Sequence, residues 1–137
     1  MAIHKSVKVL VAEATAQVET LEVAEAIAVA ERPDVLLVDL RDIRERQREG
    51  FVPGSFHAPR GMLEFWVDPE SPYHHEVFAE DRLFLFYCAS GWRSALATKA
   101  VQEMGLSRVA HVGGGFDAWR RAGGPVVTTE DGREARA

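Results

Sequence analysis

Cysteine is nearly missing from this chain: among 137 residues there is one, Cys88. An intramolecular disulfide is therefore excluded, as is a disulfide relay within the chain. A lone thiol fits a reducing compartment better than an oxidising one. Long apolar runs are missing too, and no stretch reaches the length needed to span a bilayer. Residues Met1 to Leu10 have neither the apolar core nor the small-residue cleavage site of a signal peptide, which predicts a cytoplasmic location. Positive charge is in deficit, with 16 Lys and Arg against 21 Asp and Glu and a net charge of −5. That balance argues against nucleic acid or an anionic membrane as the main partner. Internal repeats and low-complexity segments are also lacking.

What remains is an ordinary globular composition, 47% hydrophobic and 27% charged, at the length of one domain. Helical spacing of Leu21, Ala24 and Ala28 predicts a helix over about Val18 to Glu31, with Thr20 as N-cap and Pro33 preventing its extension. Asp34 to Leu40 and Leu83 to Cys88 are short apolar runs that read as strands buried on both faces. Arg108 to Val112 reads as a third strand. Between them, Arg41 to Glu49 alternates in sign and reads as a solvated helical turn. Short helices are expected at Gly61 to Trp66 and Phe116 to Arg121, and a longer one at Trp92 to Met104 with Ala97, Ala100, Val101 and Met104 on one face. Helices alternating with strands imply a parallel α/β sheet.

Ligands of open α/β sheets collect at the carboxyl ends of the strands, and Cys88 stands at such an end. It opens the loop Cys88-Ala89-Ser90-Gly91-Trp92-Arg93-Ser94, which feeds directly into a helix. Small residues and Gly91 let successive backbone N–H groups point inward as an anion-binding nest. The helix N-terminus adds unpaired N–H groups and its dipole, and Arg93 adds a full charge. All three favour thiolate over thiol, so Cys88 reads as a nucleophile. The alternative is a small buried hydrophobe at a strand end, as many free cysteines are; it leaves the Ser-Gly-Trp-Arg-Ser turn unexplained.

Four motifs in order resemble the rhodanese-like (sulfurtransferase) domain from about Thr20 to Pro125: Leu37 to Arg41, Gly50 to Ser55, Tyr87 to Ser94 and Gly114 to Trp119. The resemblance implies a central, mostly parallel five-stranded sheet flanked by helices. It divides the chain into an N-terminal segment 1–17, the domain 18–125 and a polar, frayed tail 126–137. It also implies that Cys88 takes the outer sulfur of an anionic donor such as thiosulfate and yields it to cyanide or another thiophile. Residues 89 to 94 would hold the donor, and no metal or organic cofactor would be required. A protein could also serve as sulfur donor or acceptor. Ala89 departs from the basic residue that many thiosulfate-using members carry after the cysteine, and the bulky Trp92 walls the mouth of the loop.

Loop length separates the enzymatic readings. Four residues lie between Cys88 and Arg93, whereas cysteine phosphatases place five, which would put their arginine at Ser94. The shorter ring suits sulfur better than a tetrahedral phosphate, so phosphatase or arsenate reductase activity ranks below sulfur transfer. A rival of another class is a sulfur-carrying or regulatory binding module, since one fold hosts many functions.

Other residues are given humbler roles. Asp39 and Arg41 match the family's Asp-x-Arg pattern and are expected to tie the loops together and orient Arg93. Arg60 is expected to be exposed, His57 to be a hydrogen-bonded core histidine, and His74 and His75 to lie in a surface loop rather than at a metal. Phe65, Trp66, Phe84, Phe86, Phe116 and Trp119 are assigned to the core, and Gly113 to Gly115 to a tight turn. His4 and His111 have no context from which to infer a role.

Overall fold

The computed structural model describes residues 2–128. The three apolar runs form strands side by side, joined by two very short ones. β1 (Thr20–Leu21), β2 (Val35–Asp39), β3 (Phe56–His57), β4 (Leu83–Tyr87) and β5 (Val109–Val112) make one sheet in the order β1-β5-β4-β2-β3. Every pairing is parallel. The expected mostly parallel five-stranded α/β sheet is present, and it is wholly parallel.

Burial on both faces explains why the central strands read as continuous apolar runs. Leu36, Val38, Phe84, Phe86 and Val109 point to one face, where they pack with Leu63 and Val67 of α4 (Leu63–Val67) and Ala97 and Val101 of α5 (Trp92–Glu103). Val35, Leu37, Leu85, Tyr87, Ala110 and Val112 point to the other, against Ala26 of α2 (Val23–Val29) and Phe116 and Trp119 of α6 (Gly115–Arg121). An additional helix, α1 (Val7–Gln17), is capped by Ser6 and packs on the outside of α5. No helix among the described residues is long and apolar enough to cross a membrane.

Several local expectations are corrected. The predicted helix from Val18 starts only at Val23, because Thr20 and Leu21 pair with His111 and Val112 instead; Thr20 is no N-cap. β3 was not visible, being two residues long and defined by pairing with β2. Met104 and Phe65 are exposed rather than core. The stretch from Arg41 contains a true helix, α3 (Ile43–Glu49), with a capping box between Asp42 and Glu45. Yet Arg41 and Arg46 are buried, so that segment is not simply a solvated face. At the end of the described chain, Val127 pairs with Phe51 in both directions at 2.9 Å; residues 129–137 of the expected frayed tail lie outside the described residues.

Candidate active site

β4 delivers Cys88 to the carboxyl edge of the sheet, and the chain turns at once into α5. Cys88 is 1% exposed, which alone would suit a core thiol. It nevertheless has polar partners. The backbone N–H groups of Gly91 and Ser94 both donate to Cys88 Sγ, at 3.2 and 3.3 Å. Gly91 reaches this position with φ at +104°, a region that side chains disfavour. Ser94 N–H belongs to the first turn of α5, where helix donors have no internal partner. Two convergent donors and the positive end of a helix stabilise negative charge on the sulfur.

Arg93 lies beside this group, but its orienting partner is not the one expected from sequence. Glu45 of α3 accepts from Arg93 Nη1 and Nη2 at 2.9 and 3.1 Å, while also accepting from Asp42 N–H at 3.0 Å. The hydrogen bond from Arg93 holds the Glu45 carboxyl below its usual range, against the opposing effect of burial. Reciprocally, Glu45 raises Arg93, and the nearby Cys88 sulfur acts in the same direction. The one sequence signal for Glu45 was its capping-box spacing from Asp42, which says nothing of a partner 48 residues away.

Asp39 and Arg41 perform only the first half of their expected role. Asp39 Oδ1 accepts from Arg41 N and Nε, both at 3.0 Å; Oδ2 accepts from Arg41 Nη2, Arg46 Nη1 and Tyr87 Oη, each at 2.9 Å. Arg41 Nη2 also donates to the Gly50 carbonyl at 2.7 Å, and its guanidinium lies 4.2 Å from the centre of the Phe116 ring. This cluster ties the ends of β2 and β4 to α3, α6 and the Gly50 turn. Burial works to raise the Asp39 carboxyl, but the bonds from Arg41 prevail and hold it low.

Nothing in the sequence singled out His111, yet it braces the loop from beneath. Its Nδ1 pairs with Ser94 Oγ at 2.8 Å and its Nε2 with Thr20 Oγ1 at 2.9 Å, linking α5, β5 and β1. Burial pushes its pKa down to about 4. The unfolded chain therefore takes up a proton on this side chain near pH 6.5, and the folded protein only near 4. Stability contributed by neutral His111 is present above pH 6.5 and is lost as pH falls towards 4, by about 3 kcal/mol over that window. Urea titrations at a series of pH values should show His111→Gln with a flatter acid limb than the wild type; equal slopes would contradict the assignment.

The Gly114-Gly115 turn clamps the loop from the side. Phe116 N–H donates to the Cys88 carbonyl at 2.7 Å and Asp117 N–H to the Ala89 carbonyl at 3.0 Å. The other candidates lie apart from the sulfur's hydrogen-bond partners. His57 Nε2 donates to the Arg41 carbonyl at 2.7 Å, as a structural histidine does. Arg60 is half-buried and paired with Glu64. His75 stacks on Trp66 at 3.9 Å, and His74 donates to the Trp66 carbonyl. Among the described residues no group of three or more His, Cys, Asp or Glu is placed to hold a metal ion. Ala89 and Ser90 form the outer turn of the loop, and Trp92 is 48% exposed at its edge.

Comparison with known proteins places the chain in a family. The family model of the rhodanese-like domain matches residues 22–122. The chain belongs to the rhodanese-like domain family. A sulfurtransferase of Allochromatium vinosum is 34% identical over 101 residues, covering 74% of this chain and 86% of the relative. Two solved structures extend the likeness to this rhodanese-like fold. One, from Rhodopseudomonas palustris, is a protein of unknown function described as a possible tyrosine phosphatase; it has a TM-score of 0.90 and 53% identity, covering 93% of this chain and 98% of that one. The other is the polysulfide-sulfur transferase homodimer of Wolinella succinogenes, with a TM-score of 0.66 and 30% identity over 88% of this chain and 86% of that one.

Proposed function

We propose that this rhodanese-like domain is a sulfurtransferase that carries sulfane sulfur on Cys88. The observation that carries the reading is the pair of backbone donors, Gly91 and Ser94 N–H, converging on a single sulfur at a strand end. With thiosulfate as donor, the Cys88 thiolate attacks the outer sulfur, the S–S bond breaks, and its electron pair leaves with sulfite. The persulfide on Cys88 then yields its outer sulfur to cyanide as thiocyanate, or to a thiol or protein acceptor, restoring the thiolate. Gly91 and Ser94 N–H stabilise the sulfur anion, while residues 89 to 94 form the donor's binding surface. We place the reaction in the cytoplasm.

The likeness to a structure described as a possible tyrosine phosphatase favours phosphate hydrolysis as the second reading. Against it stand the four-residue spacing between Cys88 and Arg93 and the Glu45 carboxylate already holding Arg93. Parallel assays decide between them. Sulfur transfer to cyanide should occur in the wild type and fall to the blank in Cys88→Ser, with no hydrolysis of an aryl phosphate and no tight binding of vanadate. Cys88-dependent phosphate hydrolysis without sulfur transfer would overturn the proposal.

A further inference from the structure

A negative charge is built into the surface that should meet the donor. Glu45 binds Arg93 through both carboxylate oxygens and is held from behind by Asp42 N–H, so its position is fixed from two sides. Its side chain is 20% exposed and that of Arg93 41%, so both remain accessible to a solute. The remaining side chains of the loop, at Ala89, Ser90, Gly91, Trp92 and Ser94, carry no charge. Arg41 and Arg46 are buried against Asp39, and the exposed Arg44 of α3 is paired with Asp42. Arg93 and Glu45 thus cancel, and a Cys88 thiolate leaves the site net negative.

Such a site repels a dianion in two ways. The donor must approach like charge, and it must compete with Glu45 for Arg93. A donor bearing at most one negative charge avoids most of this. An organic group on that donor also gains the half-exposed indole of Trp92 as an apolar contact.

We propose that Glu45 sets donor choice, making an organic hydropersulfide, R–S–SH, the donor class in preference to a dianion such as thiosulfate. This rests on the persulfide reading of Cys88. In the loading step the Cys88 thiolate attacks the outer sulfur of R–S–SH. The S–S bond breaks and its electron pair leaves as R–S⁻, while Cys88 becomes Cys88–S–SH; one negative charge enters and one leaves.

Glu45→Gln removes the charge and keeps an acceptor for Asp42 N–H, since glutamine also serves a capping box. Rates of sulfur loading are measured by intact mass, with thiosulfate and with benzyl hydropersulfide as the two donors. One unit charge acting on a dianion about 6 Å away in a water-like dielectric is worth about tenfold in rate. The ratio of thiosulfate to hydropersulfide rates should therefore rise about tenfold in Glu45→Gln. In the wild type the same ratio should climb with ionic strength as the repulsion is screened. An unchanged ratio in the variant, or one that stays flat or falls with salt, overturns the role of Glu45 while leaving the persulfide reading intact. Failure of both donors to load Cys88 overturns the persulfide reading itself, and this inference with it.

Discussion

Asp39→Asn should destabilise the protein by about 3–5 kcal/mol, because it removes the buried negative charge that Arg41 and Arg46 share. Asp39 and Arg41 are fully buried and Arg46 nearly so, and the carboxylate accepts from both arginines as well as from Tyr87 Oη. The asparagine keeps the volume, so lost packing is a minor part of the cost. The matched control is Asp34→Asn, which breaks an exposed pair with Arg32 of equally good geometry, 2.8 and 3.0 Å, together with a longer contact to Arg108 at 3.4 Å. That substitution should change stability little, because water already solvates both charges. Urea midpoints for the two variants make the comparison, and similar losses from both would refute the claim that burial gives the Asp39 cluster its weight.

The second large effect concerns the loop itself. A Cβ on Gly115 would lie 2.6 Å from the carbonyl oxygens of both Cys88 and Ala89, at a backbone φ of +62°. Those carbonyls are fixed by bonds to Phe116 and Asp117 N–H, so relief requires the loop to move. Gly115→Ala should therefore cost about 2–4 kcal/mol, from overpacking together with the left-handed backbone. Sulfur loading of Cys88 should slow by about 100-fold, as expected for a nucleophile displaced by the order of 1 Å. Gly123 separates the two causes: it has φ at +81°, with no atom within 4 Å of the place a Cβ would take. Gly123→Ala should lose only the backbone part of the stability and none of the loading rate. Equal loading rates in Gly115→Ala and the wild type would show that the turn does not hold the sulfur in register.

The contrast between these two sites and the sequence reading has a physical basis. β2, β4 and β5 were legible because strands buried on both faces must be apolar throughout. The loop was legible because the thiol, Gly91, Arg93 and the helix start are contiguous. Residues brought together by the fold were not. Glu45 meets Arg93 only because α3 packs beside the start of α5, and His111 meets Ser94 only because β5 lies under that helix. The sign-alternating run from Arg41 to Glu49 could not reveal which arginines turn inward, since that depends on Asp39 at the end of the preceding strand. β1 and β3 are two residues each and exist only through their neighbours.

The most direct test of Cys88 as a sulfur carrier is the intact mass of the protein before and after exposure to thiosulfate and to benzyl hydropersulfide, beside Cys88→Ser. With one cysteine in the chain, any added sulfur is assigned without digestion. A gain of one sulfur atom is expected in the wild type, reversed by cyanide and absent from the variant. No gain from either donor, in a protein whose thiol still alkylates, would contradict it and leave a rhodanese-like binding module in its place.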